Sequence, residues 1–191
     1  MNSNTIRTLG NLGHGIYLSL SFYEVLFNNT INTSGSTSYG IIIESSSNIS
    51  ATANTIITNH TTNAYGVYLF SGTNNTFTND IITAKQVNDI RVVSGSASFI
   101  NVTMNRSDIG FNAGAVGNVT ISWYLDYVAH NSSGGNLQNV NVTIFNISNS
   151  QLFNGLTASD GTIARQTLTE FYQDNNTKTY HTPHTINTTI T

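Results

Sequence analysis

The chain has 191 residues, of which 28 are Asn, 28 Thr and 21 Ser, against 15 charged residues, a net charge of -3 and no Cys. Six basic residues without a basic run leave no phosphate-tracking surface, which excludes a nucleic-acid partner, and zero Cys excludes a disulfide framework and thiolate metal sites. No apolar run approaches the roughly 18 residues that span a bilayer, so no membrane span is expected, and Met1-Asn2-Ser3-Asn4 lacks the charged and apolar parts of a signal peptide.

From the first residues onward the chain repeats itself. Gly15-Ile16-Tyr17-Leu18 recurs as Gly40-Ile41-Ile42-Ile43 and as Gly66-Val67-Tyr68-Leu69, and a shorter copy follows at Asp89-Ile90-Arg91-Val92. Asn29-Thr30-Ile31 recurs as Asn54-Thr55-Ile56. A fixed period of about 25 residues marks a solenoid, whose units bury their apolar faces against one another. Short runs of Ile, Val and Phe between Ser, Asn, Gly and Thr predict strands, two or three per unit, hence one coil of a parallel β-helix per repeat.

Stacked coils align the repeats into columns. Ile16, Ile41, Val67 and Ile90 form one, Leu18, Ile43, Leu69 and Val92 a second, and Ile31, Ile56 and Ile82 a third, all inward. Asn29, Asn54 and Asp80 share a column in which side-chain amides can bond along the stack. Between the inward columns, Tyr17, Ile42, Tyr68 and Arg91 are expected to face outward. Tyr17, Tyr68 and Arg91 are the candidate carbohydrate-binding residues there, because aromatic faces stack on sugars and Arg91 can lie over an aromatic ring. The competing expectation is that the loops at residues 32–39 and 57–65 cover the column.

Near Phe111 the repeat stops. Residues 112–118 are small and glycine-containing and read as a linker. Beyond them Val119, Ile121, Trp123, Leu125, Tyr127 and Ala129 alternate with Thr120, Ser122, Tyr124, Asp126 and His130, the pattern of a half-buried antiparallel strand with Trp123 in the core. A turn at residues 132–135, a second alternation through Val140, Val142 and Ile144, and a hairpin at Asp160-Gly161 complete a small β-sandwich.

The segments GIYL, GIIIESSSNISATANTI and GVYLFSGTNNTFTNDII resemble the right-handed parallel β-helix repeat proteins, the NosD-like and pectate-lyase-like group, over roughly residues 1–110. GGNLQNVNVTIFN followed by TASDGTI resembles the carboxypeptidase-regulatory-like, transthyretin-like family, with Val140 where that family has a small residue. The order of the two resembles archaeal surface-layer-like proteins, and implies a spacer or adhesive module on an extracellular protein.

Catalytic constellations are weak. Gly13-His14-Gly15 matches a polygalacturonase-like motif in letters, yet Gly15 belongs to the repeat and no carboxylate pair stands near His14, which reads as a loop histidine. Asp80, Lys85, Asp89 and Arg91 form the densest charge cluster and are expected to be a solvated turn. His181 and His184 flank Pro183 without a nearby carboxylate, so no metal is expected. Glycosylation candidates are the sequon residues Asn28, Asn32, Asn48, Asn59, Asn74, Asn101 and Asn105, and further on Asn118, Asn131, Asn141, Asn146, Asn175 and Asn187.

The expectation is therefore an all-β chain: a right-handed parallel β-helix of about four to five coils over residues 1–111, a linker over 112–118 and an antiparallel β-sandwich over 119–191. Because repeat-like sequence starts at once, the β-helix reads as a fragment of a longer solenoid. The expected role is a non-catalytic extracellular or cell-surface structural or adhesion protein without cofactor. Its partners would be other surface proteins, glycans, or its own solenoid ends. The alternative is a carbohydrate-binding or carbohydrate-cleaving β-helix with its site on coils beyond this chain.

Overall fold

The computed structural model describes residues 1–60, 62–85 and 88–190, which are all-β with no helix among them. They divide into two compact units, Met1–Ile121 with Gln173–Lys178, and Ser122–Tyr172 with Thr179–Thr191.

The first unit is a parallel β-solenoid with three faces. Its first face stacks Thr5–Thr8, Thr30–Thr33, Thr55–Thr58 and Ile81–Ala84. The second stacks Ile16–Ser19, Ile41–Glu44, Val67–Leu69, Ile90–Val92 and Ile109–Phe111. The third stacks Val25–Phe27, Ser50–Thr52, Asn75–Thr78 and Ser96–Ile100. Five strands on the second face make five coils, and the sequence offset is the strand register itself: Ile16 pairs with Ile41, Ile41 with Val67, and Val67 with Ile90.

Inward columns form the core as the repeat requires. Ile41, Ile43, Ile31 and Ile56 are fully buried, as are Val67, Ile90 and Val92. A column that the offsets alone did not single out runs up the third face through Leu26, Ala51, Phe77 and Phe99, in register coil by coil. Its two rings stack at 4.8 Å. The repeat glycine has a steric cause. A Cβ on Gly40 would stand 2.3 Å from the Ile56 Cγ2 and 2.5 Å from the Gly66 carbonyl oxygen, so only glycine lets the next coil close down.

Buried polar groups are stacked as well. The Asn29 side chain donates to Asn54 Oδ1 at 2.9 Å, and Asn54 in turn donates to Asp80 Oδ1 at 2.9 Å, each residue's backbone N–H reaching the same oxygen. The side-chain-to-side-chain bonds run toward later coils, while the same amides also donate back, Asn29 to the Met1 carbonyl at 3.1 Å and Asn54 to the Leu26 carbonyl at 2.9 Å. The ladder therefore ends on a group that only accepts, the Asp80 carboxylate, whose other oxygen takes the Thr78 N–H. Asp89 stands where earlier coils have glycine, and its carboxylate accepts the N–H groups of Ala84 and Asn105 at 2.5 and 2.7 Å. Both acids are buried. The solvated turn expected around Asp80, Lys85, Asp89 and Arg91 is thus corrected: Lys85 is exposed, but the two carboxylates are taken inside by backbone N–H groups that need acceptors.

Residues 112–118, expected as a linker, belong to the first unit. The Asn112 N–H donates to the Val92 carbonyl and the Asn118 N–H to the Gly95 carbonyl, each at 2.9 Å. The division falls inside the strand Asn118–Leu125.

In the second unit Val140–Phe145 is the centre of an antiparallel sheet, flanked by Gln151–Leu156 and Thr185–Ile190. Val140, Val142 and Ile144 face a core completed by Ala129 and Ile163. Trp123 is only partly buried and is absent from that core; its indole N–H donates to Glu170 Oε2 at 2.6 Å, and this polar anchor holds the ring at the rim.

Candidate functional site

The outward column of the second face lies in the expected register, with Tyr17 beside Ile42, Ile42 beside Tyr68 and Tyr68 beside Arg91. What it presents agrees with the competing expectation that the loops at residues 32–39 and 57–65 cover it. Tyr17 is 56% exposed, but Ile42, in the same column, is only 7% exposed and therefore covered. The cause is the residue before each repeat glycine: His14, Tyr39 and Tyr65 occupy that corner in successive coils and lean over the column. His14 stacks on Tyr39 at 5.0 Å, Tyr39 on Tyr68 at 4.7 Å and on Tyr65 at 5.4 Å, and Tyr65 on Tyr68 at 5.8 Å.

This ladder uses the ring faces that a sugar would need, because each ring lies against its neighbour with interplanar angles of 9 to 21°. Arg91 is likewise engaged: its Nε donates to Asn112 Oδ1 at 2.7 Å, its Nη1 to Asn88 Oδ1 at 3.3 Å, and its guanidinium lies over Tyr65 at 5.7 Å. Tyr17 donates its hydroxyl to Glu44 Oε2, and that bond raises its pKa. Burial lowers the pKa of His14 and raises those of Tyr39 and Tyr68, which favours the neutral form of each of these three rings. His14 is no free loop side chain, since its Nδ1 accepts the Tyr39 N–H at 3.1 Å. The signal that identifies the ladder was present in the sequence: His14, Tyr39 and Tyr65 stand at the repeat offset, one position before glycine.

Among the sequon residues Asn28, Asn59, Asn74, Asn101, Asn105, Asn131 and Asn187 are exposed, while Asn32, Asn48, Asn118, Asn141, Asn146 and Asn175 are half-buried. Thr61, which completes the Asn59 sequon, lies outside the described residues. Asn28, Asn48, Asn74 and Asn101 have φ between 52 and 59°, a conformation asparagine tolerates better than most residues, so the solenoid's turns account for their presence.

The second unit holds an open cavity of about 390 Å³. Leu152 and Leu168 give it apolar wall, Asn146, Gln166, Thr167 and Thr169 bring amides and hydroxyls, and His181 and His184 bring imidazoles. Sequence reading placed the two histidines near each other; the cavity between them and residues 166–169 was not foreseen.

The family described as "Periplasmic copper-binding protein (NosD)" matches residues 1–119. No curated protein and no solved structure matches the chain. With five coils in register and the match running over more than half of its length, the chain belongs to the NosD family of parallel β-helix repeat proteins.

Proposed function

We propose that this chain is a non-catalytic scaffold outside the cytoplasm, a surface or adhesion protein whose solenoid associates with a second copy, and whose second unit, read as a small β-sandwich, serves as a spacer. The observation that carries the reading is an apolar patch on one coil. Leu20, Phe22, Tyr23 and Val25 are all more than half exposed, at positions where the next coil has Ser45, Ser47, Asn48 and Ser50. A contiguous exposed apolar patch favours association with another surface. Two copies meeting patch to patch bury it through one isologous contact. The family's periplasmic description supports the location, and the exposed sequon asparagines are compatible with an exported glycoprotein.

Copper, named in the family description, finds no matching donor set. Among the described residues no three of His, Cys, Asp and Glu stand together. Within the matched region His14 and His60 each have Nδ1 taken by a backbone N–H, and the chain's sulfur donors are two methionines. No copper step enters the reading.

Sedimentation equilibrium tests it. The chain should dimerise, and Leu20→Lys with Tyr23→Lys should return it to monomer with its circular dichroism unchanged. Incubated with polygalacturonate, pectin or alginate, with and without calcium, it should release no reducing ends or unsaturated products. A monomeric parent at high concentration, or turnover lost on changing Asp80, Asp89 or Arg91, overturns the proposal.

A further inference from the structure

The geometry points to the cavity of the second unit as a binding site for a neutral sugar ring, a function separate from solenoid association and from the Tyr17 column.

Three features of the cavity select that class. Its walls are held firmly: the His181 N–H donates to the Glu170 carbonyl at 2.8 Å and its carbonyl accepts the Ile147 N–H at 3.2 Å, which ties the histidine segment to the strand Gln166–Asp174 on one side and to the turn after Phe145 on the other. The side chains around it are neutral hydrogen-bonding groups beside leucines. The Asn146 Oδ1 is committed to the N–H groups of Ser148 and Ser150, and the Gln166 Nε2 to the Ala164 carbonyl, so each amide keeps its other end for a ligand. Finally, His184 Nε2 is buried and has no hydrogen-bond partner, an uncompensated polar atom in the wall of a cavity.

Charge decides between ligand classes. None of the residues lining the cavity is Asp, Glu, Lys or Arg, and burial together with the neighbouring His181 lowers the His184 pKa, leaving that imidazole neutral near pH 7. An anion would find no lysine or arginine among the described lining residues. A cation would find two imidazoles without a third His, Cys, Asp or Glu beside them among the described residues. A pyranose matches both halves of the wall: its C–H face packs on Leu152 and Leu168, and its hydroxyls, each donor and acceptor, pair with amide, hydroxyl and imidazole groups. The volume of about 390 Å³ lies within the range of small-molecule sites, roughly 300–1,000 Å³, and accommodates one ring.

The test uses the full chain and the methyl glycosides of glucose, galactose, mannose and N-acetylglucosamine, followed by saturation-transfer NMR and by the imidazole ¹H–¹⁵N spectrum. At least one glycoside should bind and shift the His184 Nε2 resonance in the unmodified protein. His184→Phe and Thr169→Val should each weaken binding at least tenfold, whereas Tyr17→Ala and Tyr68→Ala should leave it unchanged. The inference fails if no glycoside binds, if binding moves the His14 resonances and depends on Tyr17 or Tyr68, or if His184→Phe, shown folded by its methyl spectrum, binds as well as the parent. Stoichiometric capture of Zn²⁺ or Cu²⁺ at His181 and His184 without sugar binding would also overturn it and make the cavity a metal site.

Discussion

The solenoid and the second unit solve the same problem, burying the backbone and side chains of an Asn- and Thr-rich chain, by opposite means. In the solenoid the isoleucine columns and the Asn29–Asn54–Asp80 ladder find their partners one repeat away. In the second unit partners are unrelated in sequence. Buried Thr157 accepts the Val140 N–H at 3.0 Å and donates to the Leu137 carbonyl at 2.6 Å, partners 17 and 20 residues away that no repeat offset connects. Repetition distributes stability over coils, whereas the antiparallel unit concentrates it in one small core.

Breaking each kind of core gives the largest effect. Ile43 is fully buried between Leu18 and Leu69, and Val142 is fully buried in the centre of its sheet. Ile43→Asp and Val142→Asp should each cost several kcal/mol, the cost of a buried unpaired charge. Hydrogen exchange should separate them: Ile43→Asp deprotects the coils on either side of it, Val142→Asp the strands Val140–Phe145, Gln151–Leu156 and Thr185–Ile190. Loss of protection in the opposite unit alone would undo the comparison.

The same contrast governs what the sequence made legible. Offsets of 25 and 26 residues gave the coil register and the inward columns without any structural input, because in a solenoid sequence distance equals one step up the stack. They failed where a letter changed its meaning within a column. Asp80 sits in the asparagine column, yet its charge suggested solvent; burial follows from its place as the last acceptor of a directional ladder. His14 differs in letter from Tyr39 and Tyr65 and hid the aromatic stack at the corner of the outward column. In the second unit the cavity combines Asn146, Gln166 and His184, which no period connects, so only folding brings them together.

Acidification should act on the units with opposite sign. Burial raises the Asp80 pKa to about 6 and also raises that of Asp89, so folding takes up protons at these sites. Their contribution to stability is fully present below the unfolded value of 3.8 and is lost as pH rises through about 6. For Asp80 that amounts to roughly 3 kcal/mol over the whole window. In the second unit Asp126 is lowered by Arg165 and Asp160 by the hydroxyl and N–H of Thr162, so their contribution is present above 3.8 and lost as pH falls through the depressed values. His14, lowered by burial, opposes Asp80 in the upper part of its range, so the informative quantity is the difference between parent and Asp80→Asn. Between pH 5 and 7 the solenoid of the parent should lose more stability than that of Asp80→Asn. Equal slopes in calorimetry would show that Asp80 is not the titrating group.

The smallest effect tests whether the repeat is improvable, which only a repetitive region allows. One corner of each coil requires a left-handed backbone: Asn28, Asn79 and Asn101 have φ of 54, 55 and 52°, and in the second coil Ala53 has φ of 56°. Alanine gains nothing there, because its Cβ crowds the following carbonyl, whereas asparagine relieves that conformation through local polar contacts. On the later coils the same corner shows a further gain, since Asn101 Nδ2 donates to Asn79 Oδ1 at 2.8 Å along the outside of the stack. Ala53→Asn places an amide between Asn28 and Asn79, where it can extend that external ladder by a coil. Ala53→Gly supplies the backbone freedom alone. Both should stabilise the solenoid, glycine by about 0.5 kcal/mol and asparagine by about 1 kcal/mol, given the cost of a non-glycine residue in this region and the modest net value of an exposed hydrogen bond. Denaturant melts followed by a probe in the first unit decide the order. Asparagine at or below alanine would mean that the corner is not strained and that the coils do not share their turn chemistry, while glycine above asparagine would confine the gain to the backbone and remove the external ladder from the account.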